Sequence, residues 1–267
     1  MGGPHPIHVA LRDVTKTFQS KLGSIDALGP IDLELRQGEF FAVVGPSGCG
    51  KSTLLDIMAA LAPPSSGTVT FEGRPIGTSV PNGLGVVFQE NACFPWLNVA
   101  DNITFGLRRQ PIEQAEIERR LQHALHLMGL NDFARAFPAQ LSGGMRQRVC
   151  IARTLVMQPR LILLDEPFGA LDQQTRLLMG DELLRIWRAT DATILLITHA
   201  LDEAAMLADR VAVMSARPGR IMEVIETGWA RDRDSQIVSA PEFGAITARL
   251  WSLLRSQSLH ALRPDMA

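Results

Sequence analysis

Short apolar runs bounded by glycine dominate the first 90 residues. Ile31, Leu33 and Leu35 alternate with Asp32 and Glu34, the period-two signature of a strand with one buried face. Residues 39–44 form an apolar run leading into a glycine loop, and 52–61 then read as a helix. Residues 67–73 read as an edge strand between turns, and 84–88 as a buried strand. The period changes after Gln89. Pro111 opens a charged segment in which Ile117, Leu121, Ala124, Leu125 and Met128 share one helical face, and Gly129 suits its C-terminal cap. A second helix is predicted over 142–156. Apolar strands return at 161–164, 193–197, 211–214 and 221–225, with a helix over 172–188. Runs without polar alternation imply cover on both faces, as in a parallel sheet.

The pattern therefore predicts an α/β core over 1–89 and 159–227, split by a helical insertion over 90–158. The tail, 228–267, starts with mixed charges and continues as an amphipathic helix carrying Phe243, Ile246, Leu250 and Leu253. Three roles for that helix stay open: regulation, a dimer contact, or packing on the core.

Composition narrows the function classes. A length of 267 residues allows one large domain or two modest ones, and 46% hydrophobic residues exclude intrinsic disorder. With 26 basic against 28 acidic residues there is no basic field to hold nucleic acid, so no nucleic-acid partner is expected. Three cysteines make neither a disulfide framework nor a metal cluster, and they fit a reducing compartment. The N-terminus lacks a secretion signal. The nearest approach to a membrane span, 57–71, is interrupted by Pro63, Pro64, Ser65 and Ser66. The expectation is a cytoplasmic chain whose membrane contact goes through a partner.

The chemistry concentrates in two places. Gly45-Pro46-Ser47-Gly48-Cys49-Gly50-Lys51-Ser52, followed by Thr53, matches G-x-x-x-x-G-K-[ST] between a predicted strand and a helix. Glycines let successive backbone N–H groups converge on phosphate oxygens, and the helix adds its positive dipole end. Lys51 would reach the β- and γ-phosphates, and the Ser52 hydroxyl would bind Mg2+. Asp165 and Glu166 end an apolar strand at the carboxyl edge of a sheet, where such folds bind ligands. Asp165 would hold the Mg2+ water shell, and Glu166 would polarise or position an attacking water. Alone, the pair could equally be a helix cap in a solvated loop; the Lys51 loop favours the catalytic reading.

Leu141-Ser142-Gly143-Gly144-Met145, lying between these two motifs, resembles the signature of the ATP-binding-cassette ATPases. Gln89 resembles the family's Q-loop residue, Asp172 in Ala170-Leu171-Asp172 its D-loop, and His199 its switch histidine. The resemblance covers roughly residues 7–225. It implies a P-loop NTPase (RecA-like) core with an antiparallel β subdomain and an inserted α-helical subdomain. It also implies ATP and Mg2+, with Gln89 touching the metal or the water and His199 the γ-phosphate. ATP would be sandwiched in a head-to-tail homodimer, the signature of one chain facing the phosphate loop of the other. The family places an aromatic ring, most often Tyr, before the loop to stack on adenine. This chain has no Tyr, and Phe18 occupies that place; it either stacks on the base or packs on the sheet. Lys16 and Lys21 flank it as solvated charges. Asp172 could serve as D-loop, helix N-cap or both.

With one cassette, no membrane helices and no long coiled coil, the chain looks like the separate ATPase subunit of an importer. Phe94-Pro95-Trp96 after the Q-loop resembles the nitrate/sulfonate/taurine importer family. There the segment would grip integral membrane permease subunits, unless Trp96 is buried in the helical insertion. That reading implies a peripheral position on the cytoplasmic face of the inner (plasma) membrane and an indirect link to a periplasmic or extracellular solute-binding protein. The alternatives are an exporter or lipid-type system, or a soluble cassette regulator.

Overall fold

The run Phe40–Val44 forms a strand with all five side chains buried. Such a strand needs cover on both faces. The computed structural model describes residues 6–20, 23–77, 79–89, 92–169 and 171–262. In chain order, β1 (Ile7–Ser20) and β2 (Gly23–Arg36) form a long hairpin, and β3 (Phe40–Val44) leads to α1 (Lys51–Met58). Then come β4 (Ser66–Phe71), β5 (Arg74–Pro75) and β6 (Leu84–Val87). Three helices, α2 (Val99–Thr104), α3 (Gln114–Leu127) and α4 (Gly143–Leu155), precede β7 (Leu161–Asp165). The alternation continues with α5 (Gln173–Thr190), β8 (Thr193–Thr198), α6 (Leu201–Leu207), β9 (Arg210–Met214) and β10 (Ile221–Glu226). The last helix is α7 (Pro241–Leu262).

Two sheets result, ordered β10-β9-β3-β8-β7-β6 and β2-β1-β4-β5. In the first, β9, β3, β8, β7 and β6 pair in parallel, and β10 joins β9 antiparallel. Alternate residues of its strands face opposite ways. Phe40, Ala42, Val44, Ile162 and Leu196 enter one cluster with apolar residues of α2 to α7, such as Ile103, Leu121, Val149 and Leu250. Phe41, Val43, Leu163 and Ile197 enter another with Leu54 and Leu55 of α1 and the inner face of the antiparallel sheet, including Leu11, Leu33 and Val69. The parallel sheet covered on both faces, expected from the unbroken apolar runs, is therefore present. Its two covered faces contribute stabilisation at roughly 25 cal/mol per Å2 of apolar surface buried.

The boundaries refine the sequence reading. The helix expected over 52–61 is α1, which stops at Met58; Ala60 beyond it takes a left-handed φ of 58°. Residues 67–73 were expected as an edge strand, but β4 lies between β1 and the two-residue β5. The long β1 had no clear sequence signal. Its buried Val9, Leu11 and Val14 break the period of two where the register shifts at Asp13 (φ 48°). The tail packs on the core: α7 buries Phe243, Leu250 and Leu254, with Ile246 and Leu253 partly buried. Ahead of it, Arg231 and Arg233 lie 4.4 and 4.9 Å from the ring of buried Trp187, and Arg233 Nη1 donates to Asp209 Oδ1 at 2.8 Å. Among the described residues no helix is long and apolar enough to cross a membrane.

Candidate functional site

Parallel pairing sets the site before any side chain is considered. Val44 of β3 pairs with Thr198 of β8, Ile197 of β8 with Asp165 of β7, and Leu164 of β7 with Val87 of β6. The four strands therefore end together, and Gly45, Glu166, His199 and Phe88-Gln89 all leave the same carboxyl edge.

The Gly45–Ser52 loop runs from β3 into α1. Gly48 (φ 73°) and Gly50 (φ 106°) take left-handed conformations, and a Cβ at Gly50 would lie 2.8 Å from the Ala27 carbonyl oxygen. Gly50 is also the N-cap of α1, whose first turn carries no acidic residue, so its dipole stays available to an anion. Lys51 is 7% exposed, and its ammonium donates to the carbonyls of Gly45 (2.8 Å) and Pro46 (3.0 Å), along the rim of the loop. Beside it Cys49 is buried, which pushes its thiol pKa up.

Glu166 sits at the centre of a carboxylate cluster. Its backbone takes φ 44°, a conformation that costs a non-glycine residue on the order of 1–3 kcal/mol. The strain is held by its N–H donating to Ile197 O at 2.8 Å. One carboxylate oxygen lies 3.0 Å from His199 Nδ1, and the other accepts from Gln89 Nε2 at 3.1 Å. Asp165, one position earlier, is 8% exposed; burial raises its pKa, opposed by the Ser52 hydroxyl that hydrogen-bonds it. Its Oδ1 is buried without a hydrogen-bond partner. An orphaned carboxylate oxygen beside a hydroxyl is a fitting donor set for a hard divalent cation such as Mg2+.

These groups open into a cavity of about 440 Å3, lined by Phe18, Ser47, Lys51, Ser52, Gln89 and Glu166, among others. Phe18 is 45% exposed, and so lies on the cavity wall rather than in the core. Lys16 is not simply solvated: its ammonium donates to Pro63 O at 2.6 Å and lies 5.1 Å from the Phe18 ring. Lys21, Glu90, Asn91 and Ala170 lie outside the described residues.

Other expected residues lie elsewhere on the chain. Leu141–Met145, Asp172, His199 and the 94–96 segment are not among the described residues that line this cavity. Ser142 caps α4 by accepting from Met145 N at 3.2 Å, which leaves the hydroxyl proton to donate outward. Leu141 is buried and its carbonyl accepts from Arg146 Nη1 at 2.6 Å, while Gly143 opens the helix. A Cβ at Gly144 would meet Leu171 at 2.9 Å, so Gly144 packs against the segment leading to Asp172. Asp172 caps α5, accepting from Thr175 N at 3.0 Å. The alternative that buries Trp96 is overturned: it is 70% exposed, stacked on Phe94 at 5.6 Å and 29°, with Pro95 exposed between them.

Two residues escaped the sequence reading. Arg217, in the loop between β9 and β10, lines the cavity and donates to Gly48 O at 2.9 and 3.2 Å. Its neighbour Gly219 comes so close to the loop that a Cβ there would lie 2.2 Å from Cys49 O. The glycine in Ala216-Arg217-Pro218-Gly219 was the available signal, but Gly48, the partner of Arg217, stands 169 positions earlier, where no local pattern points to it. Glu203 is buried in α6 and accepts from Thr198 Oγ1 at 2.7 Å, the same hydroxyl that accepts from Ala200 N at 3.0 Å beside His199.

Residues 28–169 match the ABC transporter family. The chain is 41% identical to a nitrate import ATP-binding protein of Synechocystis sp. over 257 residues, covering 94% of this chain and 96% of that protein. It is 40% identical to the aliphatic sulfonates import ATP-binding protein of Bacillus thuringiensis over 230 residues, covering 85% and 90% respectively. Its fold is similar to a dimeric ATP-binding cassette in a post-hydrolysis state with ADP and phosphate, at a TM-score of 0.74, 31% identity, and coverage of 82% and 98%.

Burial pushes the Glu203 carboxyl up from an ordinary 4.5 to about 7. Between those values the folded chain holds a proton that the unfolded chain releases, so this group lowers stability as pH rises through that window. Glu203→Gln should therefore gain stability relative to the parent between pH 5 and pH 8, by about 3 kcal/mol at most. Urea unfolding at the two pH values checks this; a difference independent of pH contradicts the raised carboxyl.

Proposed function

Because the chain belongs to the ABC transporter family, we propose that it is the ATP-hydrolysing subunit of a multi-subunit importer for small solutes of the nitrate, sulfonate or taurine type. The observation that most supports hydrolysis is the Glu166 carboxylate, steadied by His199 Nδ1 and Gln89 Nε2 in the wall of the cavity that also contains Lys51.

The residues divide the work as follows. On the loop that Gly45 and Pro46 open, backbone N–H groups between Ser47 and Thr53 receive the phosphates, with the α1 dipole behind them. Lys51 exchanges its two carbonyl partners for β- and γ-phosphate oxygens and offsets the charge that develops during transfer. Phe18, on the cavity wall, stacks on adenine without hydrogen-bonding it. Glu166 takes the proton of the attacking water or fixes its direction, while His199 keeps that carboxylate in line and reaches the γ-phosphate. Ser52, Asp165 and Gln89 would hold Mg2+, which would supply neutralisation of phosphate charge. In-line attack gives ADP and phosphate.

The signature segment lies outside the cavity of its own chain, which supports completion of the site by a second copy. Ser142 to Met145 of one chain, at the N-terminus of α4, would close on the phosphates bound by the other, and Asp172 would meet its counterpart across the dimer. We divide the chain accordingly into a nucleotide-binding core (1–89 and 159–227), a helical subdomain (90–158) and a tail (228–267). Exposed Pro95 and Trp96, with Trp96 stacked on half-buried Phe94 close after Gln89, suit the anchor that grips the permease. Closure of the two cassettes would move that anchor, and hydrolysis would reset it. The assembly would sit on the cytoplasmic face of the membrane, with a solute-binding protein on the far side.

Replacing Glu166 by Gln keeps the shape and removes the base. The Glu166→Gln chain should bind ATP, stop turning over and accumulate as an ATP-bound dimer in size-exclusion chromatography with light scattering; a monomer with full turnover contradicts the assignment. Phe18→Ala should raise the KM for ATP, by the ~1–3 kcal/mol of a lost stacking contact, with a smaller change in kcat. An unchanged KM in steady-state kinetics assigns Phe18 to packing instead.

A further inference from the structure

Outside the nucleotide cavity, two of the three cysteines touch. Cys93, shortly after Gln89, and Cys150, in α4, are 57 positions apart in sequence, and their sulfurs are 3.5 Å apart. Cys93 is half-buried and Cys150 buried, while Cys49 is in the phosphate loop on the other side of the sheet. The pair is surrounded by donors and acceptors that serve sulfur chemistry. The Cys93 thiol has a second acceptor in Arg146 O at 3.4 Å. The guanidinium of Arg153 has one nitrogen 4.0 Å from Cys150 Sγ and another donating to Ala92 O at 2.8 Å, with its carbon 4.9 Å from the Phe94 ring. The hydrogen bond from Cys93, aided by the Arg153 charge, brings the Cys150 thiol down to about 7 from an ordinary 9.0. A thiolate beside a protonated thiol and a cation is the arrangement from which disulfides form.

We propose that Cys93 and Cys150 form an oxidation site, closed to a disulfide by a hydroperoxide such as hydrogen peroxide. The Cys150 thiolate attacks the O–O bond, which breaks; sulfur keeps one oxygen as a sulfenic acid, and the other leaves as water after protonation. Cys93 sulfur then attacks the sulfenic sulfur, the S–S bond forms, the S–O bond breaks, and the oxygen departs as a second water. Two thiols are oxidised and one peroxide is reduced. The sulfurs must approach from 3.5 Å to about 2 Å, a shift that side-chain rotation in the surface segment supplies.

The bond has a consequence for the proposed machinery. It fastens the segment carrying Phe94 and Trp96, just beyond Gln89, to the helix that Ser142 caps. Turnover that requires the Gln89 side and the signature helix to shift against each other then slows. This effect on turnover rests on the ATPase reading; formation of the disulfide does not.

The test treats the full-length chain with hydrogen peroxide, maps its peptides by mass spectrometry without reduction, and measures ATP hydrolysis before and after. The expected result is a peptide pair linked through Cys93 and Cys150, Cys49 recovered as a free thiol, and a loss of turnover that dithiothreitol reverses. Cys150→Ala and Cys93→Ser should each keep the reduced rate and lose the peroxide response. Absence of the linked pair, or peroxide inactivation that persists in Cys150→Ala, overturns the site; a linked chain that turns over at the reduced rate overturns its control of turnover. If the reduced chain hydrolyses no ATP, the ATPase reading fails, and the linked peptides still decide the thiol pair.

Discussion

The in-register parallel pairing of β6, β7, β8 and β3 is the constraint on which everything else depends. Hydrogen bonds between backbones bring Val87, Asp165, Thr198 and Val44 to one edge, so residues scattered over more than half the chain converge without any direct attraction between them. The register is fixed because both faces of β3, β7 and β8 are buried: a slip by one residue would exchange the sets that meet α1 and α2 to α7. Stability and chemistry are thus linked by geometry. The core is packed so that the loop after each strand starts at a defined height.

At that edge the chain accepts local costs. Glu166 adopts a left-handed backbone, Asp165 is buried with one oxygen unpaired, and two glycines of the phosphate loop take conformations that strain other residues. Each is unfavourable for folding alone, and under the proposed function each would serve what arrives with the ligand: a water for Glu166, a cation for Asp165, phosphate oxygens for the loop. The strain persists because the surrounding β-sheet is over-determined by packing. Arg217 and Gly219 add a second brace, pressing the β9–β10 loop against the phosphate loop.

The sequence made the phosphate loop, the strand ends and the signature legible because each is a contiguous stretch whose residue types follow from local chemistry. Gly45 to Ser52 and Ser142 to Met145 carry their meaning within a few residues, and Asp172 takes the N-cap position that was one of its two readings. What escaped depends on contacts across the chain. β1 was hidden by a break in alternation at Asp13, Arg217 is tied to Gly48 across most of the chain, and Glu203 becomes unusual only once folding buries it. Whether Phe18 and Trp96 were buried was also undecidable from composition; their exposure follows from the hairpin end and the insertion surface on which they stand. The Cys93–Cys150 contact belongs to the same class, since two thiols far apart in sequence show no pattern until α4 packs against the segment after Gln89.

Under the proposed function, each ATP site needs the phosphate loop of one chain and the signature helix of another. Mixing two inactive variants tests it directly. A Lys51→Ala chain keeps an intact signature, and a Ser142→Arg chain keeps an intact phosphate loop. Mixed dimers then contain one complete site formed from the sound half of each partner. ATP hydrolysis by the mixture well above the sum of the separate chains is the predicted result; a rate equal to that sum would contradict a shared site.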